Sequence, residues 1–215
     1  TNSFSMAKSI VSLLIGCAID EGCIRGVDQS IFDFLPELIP FDGQDVKIKH
    51  LLEMSSGLDW LENYKRPISV TAKSYYGTSL NNLMLSRRFI RSPGESYKYQ
   101  SGNTQFLGLL LERAVGERIA SYAGRVLWSK IGAKHDAFWA LDYDGGVEKS
   151  FCCFNSNARD FSKIGLLVLN RGRVLSEGVV SESYIDWLLS IPVLINDDNL
   201  DQEVDHYSNG WWMAQ

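Results

Sequence analysis

Histidine is scarce in this sequence: His50, His135 and His206 are far apart, and none has a context that marks it as the partner of a nucleophilic serine. Cysteine is equally sparse. Four are present, at positions 17, 23, 152 and 153, with no Cys-x-x-Cys and no His-Glu-x-x-His, so neither a structural zinc site nor a zinc hydrolase is expected. Gly-x-Ser-x-Gly, Gly-x-Gly-x-x-Gly and Gly-x-x-x-x-Gly-Lys-Ser/Thr are all missing, which removes the nucleophile elbow, the dinucleotide fingerprint and the phosphate loop. Positive charge is in deficit, with 21 Lys+Arg against 26 Asp+Glu and a net charge of −5, and without a basic block a nucleic-acid partner is not expected. Long apolar runs are lacking too. Residues 10–19 come closest, and Ser12 and Gly16 interrupt them, so no helix is expected to span a membrane.

What is present is globular composition: 45% hydrophobic and 12% aromatic residues over 215 positions, enough for a sizeable core and read as one domain. The chain opens on Thr1 without an initiator Met and stops just after Gly210-Trp211-Trp212-Met213, which reads as the start of a strand. It is therefore expected to be a segment of a longer protein. Residues 6–20 predict a helix apolar on nearly every face, hence buried, ending at Glu21-Gly22. Helical spacing predicts further helices at 47–54, 79–90, 103–115, 119–128, 158–169 and 181–189. Asp144-Gly145-Gly146 predicts a hairpin over 138–154. Residues 24–45 are rich in turn signals, 59–77 predict a long aromatic loop, and 195–205 an acidic surface loop. Cys17 reads as a small buried hydrophobe. The other thiols are expected to be free, with a bridge from Cys23 to Cys152 or Cys153 as the alternative.

One candidate for chemistry remains, Ser5-Met6-Ala7-Lys8 at the mouth of the buried helix. Residues three apart share a helix face, so the Lys8 ammonium can lie beside the Ser5 hydroxyl. The helix N-terminus favours an oxyanion, and burial favours a neutral lysine able to act as a base without histidine. Alone the motif is weak, because 24 serines and 10 lysines give about one Ser-x-x-Lys by chance.

Its context is more specific. Phe4-Ser5-Met6-Ala7-Lys8-Ser9, then Leu51-Leu52-Glu53-Met54-Ser55-Ser56-Gly57-Leu58, then Pro93-Gly94-Glu95 leading to Tyr99-Gln100-Ser101 and Asn103-Thr104, follow one another. Asn157-Ala158-Arg159-Asp160-Phe161, Gly165 and Gly210-Trp211-Trp212 come after them. In content and order this series resembles the serine beta-lactamase-related family of class C beta-lactamases, penicillin-binding carboxypeptidases, esterases and 6-aminohexanoate-dimer hydrolases. The resemblance covers nearly the whole chain and implies an α+β fold of beta-lactamase/transpeptidase type. A helical subdomain would pack on an antiparallel sheet mostly contributed by flanks outside residues 1–215, which would form a single partial domain.

The resemblance implies that Ser5 is acylated, that Lys8 helps to deprotonate it, and that Tyr99 passes a proton between serine and leaving group. A lysine ammonium beside Tyr99 is expected to lower the phenol pKa. Ser101 and Asn103, with Trp60, Tyr75 and Tyr76 of the aromatic loop, are candidate substrate contacts, and Asn103 is read as the N-cap of its helix. Trp139, Phe151 and Phe154 read as core.

Two departures bear on function. The second motif reads Tyr99-Gln100-Ser101 where class C enzymes have Tyr-x-Asn, which is closer to aminohexanoate-oligomer hydrolases and some esterases. The family's third motif, a Lys- or His-x-Gly strand that supplies half of the oxyanion hole, is not in this sequence, so the segment alone is expected to have low activity. The expected activity is hydrolysis of a small ester or amide, or a peptide-like one, through an acyl-enzyme, without metal or organic cofactor. The alternative is a catalytically weak or inert penicillin-binding-like ligand-binding or sensor domain. The sequence chooses neither an oligomeric state nor between bacterial periplasm and cytoplasm.

Overall fold

The structure, a computed structural model, describes residues 1–213. At its centre lies α1 (Ala7–Asp20), with twelve of its fourteen residues buried. A helix enclosed on all sides needs apolar residues on every face, as its sequence provides. It ends where Gly22 adopts φ +76°, its amide donating to the Ile19 carbonyl and the amides of Cys23 and Ile24 to the Ala18 carbonyl.

The next helices are α2 (Ile48–Leu52), α3 (Val70–Tyr76), α4 (Leu80–Leu85) and α5 (Ser101–Val115). They are followed by α6 (Ile119–Ala123), α7 (Ala158–Leu169) and α8 (Glu182–Leu188). Helix α5 packs along α1, is buried from Ser101 to Leu111, and ends at Gly116 in the left-handed region. Helix α8 reaches α1 at Gly16, where a Cβ would stand 2.4 Å from the Tyr184 ring, and the Tyr184 hydroxyl donates to the Ser12 carbonyl at 2.7 Å.

The strands are short. β1 (Ser96–Tyr97) lies parallel to β6 (Ile195–Asn196), which pairs antiparallel with β7 (Asn199–Glu203). Three antiparallel pairs complete the set: β2 (Phe138–Trp139) with β3 (Phe154–Asn155), β4 (Arg173–Val174) with β5 (Glu177–Gly178), and β8 (Tyr207–Ser208) with β9 (Trp211–Trp212). Helices and small, mainly antiparallel sheets make an α+β arrangement. The hairpin over 138–154 forms as its turn signal predicts, and Trp139, Phe151 and Phe154 are core.

Several expectations are corrected. Residues 195–205 hold β6 and β7, because the Asp197 carboxylate draws Arg91 and Lys98 onto that hairpin beside β1. The aromatic loop contains α3, started by the Ser69 hydroxyl accepting from the Ala72 amide at 3.0 Å. The helix expected to reach residue 90 stops at Leu85, and Phe89 pairs instead with Leu58. Asn103 is not an N-cap. It lies inside the first turn of α5, fully buried, and its side chain accepts from the Ser56 hydroxyl at 2.5 Å. Cys152 and Cys153 form a disulfide with each other, so they are neither free nor joined to Cys23, while Cys17 and Cys23 are thiols.

Candidate active site

Residues from distant parts of the chain meet at the head of α1. The N-terminal segment enters extended: Asn2 pairs with Asn155, and the Ser3 amide donates to the Phe154 carbonyl at 2.8 Å. Phe4 then turns the backbone at φ +47° into a single 3₁₀ turn, Phe4–Met6, that runs directly into α1. A bulky residue at positive φ costs about 1–3 kcal/mol and persists only where its surroundings hold it. Here the Phe4 amide donates to the Asn2 side chain at 2.8 Å. This strand-to-helix turn presents Ser5, half-buried, at the start of the helix.

Lys8 follows one turn later and is 2% exposed. Its Nζ donates to Ser5 Oγ at 3.1 Å and to the Phe151 carbonyl at 2.9 Å. Burial favours the neutral amine and pulls its pKa from 10.5 to about 8, with the Glu62 carboxylate acting the other way.

Tyr99, on the turn between β1 and α5, reaches the same place. Its side chain lines the same cleft as those of Ser5 and Lys8, and the Lys8 Nζ stands 5.2 Å from its ring centroid. The rings of Tyr207 and Trp212 pack on it at 5.8 and 5.4 Å. The expected lowering of its pKa is reversed. Desolvation raises it, and the neighbouring Ser5 side chain opposes that only in part.

The wall opposite α1 comes from the β8–β9 hairpin, fastened by Ser9 Oγ donating to the Gly210 carbonyl at 2.8 Å and Trp211 Nε1 donating to Ser12 Oγ at 3.1 Å. Gly210 sits at φ +98°, and a Cβ there would stand 3.2 Å from the Ser12 side chain. The resulting cleft of about 290 Å³ is lined by Ser5, Lys8, Tyr99, Tyr207, Trp211 and Trp212, among others.

The proposed substrate contacts divide. Ser101 and Asn103 do not face this cleft: both are fully buried, and Ser101 gives its amide and hydroxyl to Glu62, each at 2.8 Å. Trp60 is also interior, packed on Gly102 with its indole N–H donating to Glu62. Tyr75 and Tyr76 line a second groove of about 330 Å³ with Phe4, Tyr64 and Ala72. Glu62 escaped the sequence reading, while Gln100, Phe151 and Trp212 were read there as motif or core residues rather than as site candidates. Gln100 donates its side-chain amide to the Leu58 and Trp60 carbonyls, tying the aromatic loop to the turn that carries Tyr99. An acid among aromatics, Trp60-x-Glu62-x-Tyr64, is the signal the sequence offered for Glu62. Among the described residues no cluster of three or more His, Cys, Asp or Glu is arranged to hold a metal ion, and no helix is long and apolar enough to cross a membrane.

Comparison with known proteins bears on the fold and the family. The 6-aminohexanoate-dimer hydrolase of Paenarthrobacter ureafaciens is 27% identical over 205 aligned positions, covering 86% of this chain and 50% of that enzyme. Among solved structures, a Bacillus anthracis protein assigned as a 6-aminohexanoate-dimer hydrolase superposes with a TM-score of 0.82 at 19% identity, covering 99% of this chain and 58% of its own. A penicillin-binding protein from Bacillus halodurans gives 0.74 at 20% identity, covering 98% and 69%. These likenesses show a beta-lactamase/transpeptidase-like fold, and the chain spans about half the length of the curated relative it matches. The model of the family described as Beta-lactamase matches residues 1–190, most of the chain: the chain belongs to the beta-lactamase family.

Proposed function

We propose that this chain carries the nucleophilic centre of a serine hydrolase that cleaves a small ester or amide through an acyl-enzyme, as part of a single domain. The observation that carries the reading is the meeting of Ser5, Lys8 and Tyr99 in one cleft. A capping serine, a solvated lysine and a loop tyrosine have no reason to converge across 94 positions.

The roles follow from burial. Lys8, with its pKa drawn down to about 8, has an appreciable neutral fraction near neutrality and takes the Ser5 proton as Oγ attacks the carbonyl carbon. Tyr99, its pKa raised, holds its proton and is suited to hand it to the departing oxygen or nitrogen, recovering it through Ser5 and Lys8. The acyl-enzyme is released when water adds to the acyl carbon and the proton it loses returns to Ser5 Oγ. The Ser5 amide at the helix start is placed to supply one oxyanion donor. The groove beside Phe4, walled by Tyr64, Tyr75 and Tyr76, suits an apolar part of the substrate. Support for this substrate class comes from the related 6-aminohexanoate-dimer hydrolase and from structural neighbours that include a family VIII carboxylesterase.

The test is covalent labelling of the intact protein with a fluorophosphonate, followed by turnover of a p-nitrophenyl acyl ester. Labelling is expected to map to Ser5 and to fall at least about 1,000-fold in Ser5→Ala. Undiminished labelling of Ser5→Ala overturns the assignment. A single stoichiometric burst, rather than many turnovers, would favour a ligand-binding or sensor role.

A further inference from the structure

Glu62 is absent from the reaction steps above, yet its carboxylate receives more hydrogen bonds than any other near the cleft. Oε2 accepts from Trp60 Nε1 and from the Ser101 amide, both at 2.8 Å. Oε1 accepts from the Tyr64 hydroxyl at 2.5 Å and the Ser101 hydroxyl at 2.8 Å. The four donors belong to two segments far apart in sequence. One is the aromatic loop, which carries Tyr64 into the groove beside Phe4; the other is the first residue of α5, two positions after Tyr99.

We infer, on the basis of the acyl-transfer reading, that Glu62 is a positioning residue that locks the substrate-facing aromatic loop to the Tyr99 turn and fixes the pH range over which Lys8 works. The geometric half of this is direct. With both oxygens satisfied by protein donors, Glu62 has no capacity left for a substrate cation and acts through the segments it joins. Gln100 reinforces the same joint from the other side through the Leu58 and Trp60 carbonyls.

The electrostatic half rests on the same joint: Glu62 is bonded to Ser101, two residues after Tyr99, whose ring centroid lies 5.2 Å from the Lys8 Nζ. The titratable groups around Lys8 are Tyr99 from the turn before α5, Tyr207 from β8, Glu62 from the loop and Tyr75 from α3, while Lys149 lies behind Tyr75 with its Nζ on the Tyr75 carbonyl. Glu62 is the acidic member of this set. It favours the Lys8 ammonium against burial, and it raises the pKa of Tyr64, Tyr75 and Tyr99.

Glu62→Gln separates the two halves. An amide that keeps its oxygen toward the Trp60 and Ser101 N–H groups directs its NH₂ at the Tyr64 and Ser101 hydroxyls, which can accept as well as donate, so the joint survives while the charge is lost. In the intact protein, the Lys8-dependent limb of the kcat/KM profile for a p-nitrophenyl ester is expected to move to lower pH by about half a unit or more, with KM within about twofold of wild type. Glu62→Ala is expected to raise KM for aryl esters at least about fivefold, because the loop and Tyr64 lose their anchor. A Glu62→Gln profile superimposable on wild type overturns the electrostatic role, and a Glu62→Ala enzyme with unchanged KM overturns the positioning role. Circular dichroism of both variants reports whether they fold. If Glu62→Ala does not fold, the joint is confirmed as essential to the scaffold and Glu62→Gln alone decides the pH effect. Ser5-dependent labelling of wild type is measured in parallel: its absence overturns the acyl-transfer reading and this inference with it, whereas its presence with an unmoved profile overturns the pH inference alone.

Discussion

Lys8 is the residue at which the proposed chemistry and the stability of this protein pull in opposite directions. A lysine that is 2% exposed loses hydration of its charge, and its pKa falls from 10.5 to about 8. Between those values the unfolded chain holds a proton that the folded chain has released. The folded state therefore gains stability as pH rises from about 8 to 10.5 and gains nothing further from this group outside that window. Lys8→Met has no such proton. Denaturant unfolding at a series of pH values is expected to show wild type gaining on the variant by up to about 3 kcal/mol across that interval. A constant difference would show that Lys8 keeps its charge in the fold. Tyr99→Phe keeps the ring packing against Trp212 and Tyr207 while removing the proton, so kcat is expected to fall about 10²–10⁴-fold with little change in melting temperature. At this scale the pairing of Ser5 with Lys8 could be read in the sequence, because three residues on a helix is a local distance. The sign of the Tyr99 shift could not. It depends on how much water the surrounding rings exclude, and those rings come from β8 and β9.

Among the elements, α1 is well specified by its own residues and tolerates little added volume at Gly16. Ala is the better helix former by about 1 kcal/mol, yet Gly16→Ala would place a methyl 2.4 Å from Tyr184 and 2.9 Å from Val180. Overpacking of this kind costs about 1–3 kcal/mol, so the variant is expected to be less stable by roughly that amount in chemical denaturation. A gain in stability would mean that α8 can move aside freely. Long periodic elements such as α1, α5 and α7 were legible because their burial pattern repeats along the chain. The short ones were not. α3 depends on a single capping serine in a stretch crowded with aromatic and turn residues, and the β6–β7 hairpin is held by Asp197 against Arg91 and Lys98 about a hundred positions away. No local pattern encodes a contact of that span.

For the molecule as a whole, the cysteines give a test of tertiary arrangement that does not depend on activity. Cys152 and Cys153 are bonded to each other, Cys23 is a half-exposed thiol, and Cys17 is buried with its pKa pushed up to about 12. Iodoacetamide without reductant is therefore expected to modify Cys23 readily and Cys17 slowly, leaving 152 and 153 unmodified until a reductant is added, as read by peptide mass mapping. Modification of all four without reductant would contradict the pairing. The amino-acid sequence by itself determined the buried first helix and the Ser5–Lys8 pair, because each rests on spacing within a short stretch, while the α+β class came from the resemblance that its series of motifs carries. Only the tertiary structure decided which candidates share a cleft. Lys8 meets the Phe151 carbonyl across 143 positions and Ser9 meets Gly210 across 201, while Asn103 and Ser101, adjacent to the motif in sequence, turn into the interior. Such long-range contacts arise when separate segments bury apolar surface together, and that same burial sets the protonation of Lys8 and Tyr99, so the chemistry of the site belongs to the fold rather than to any one stretch of the chain.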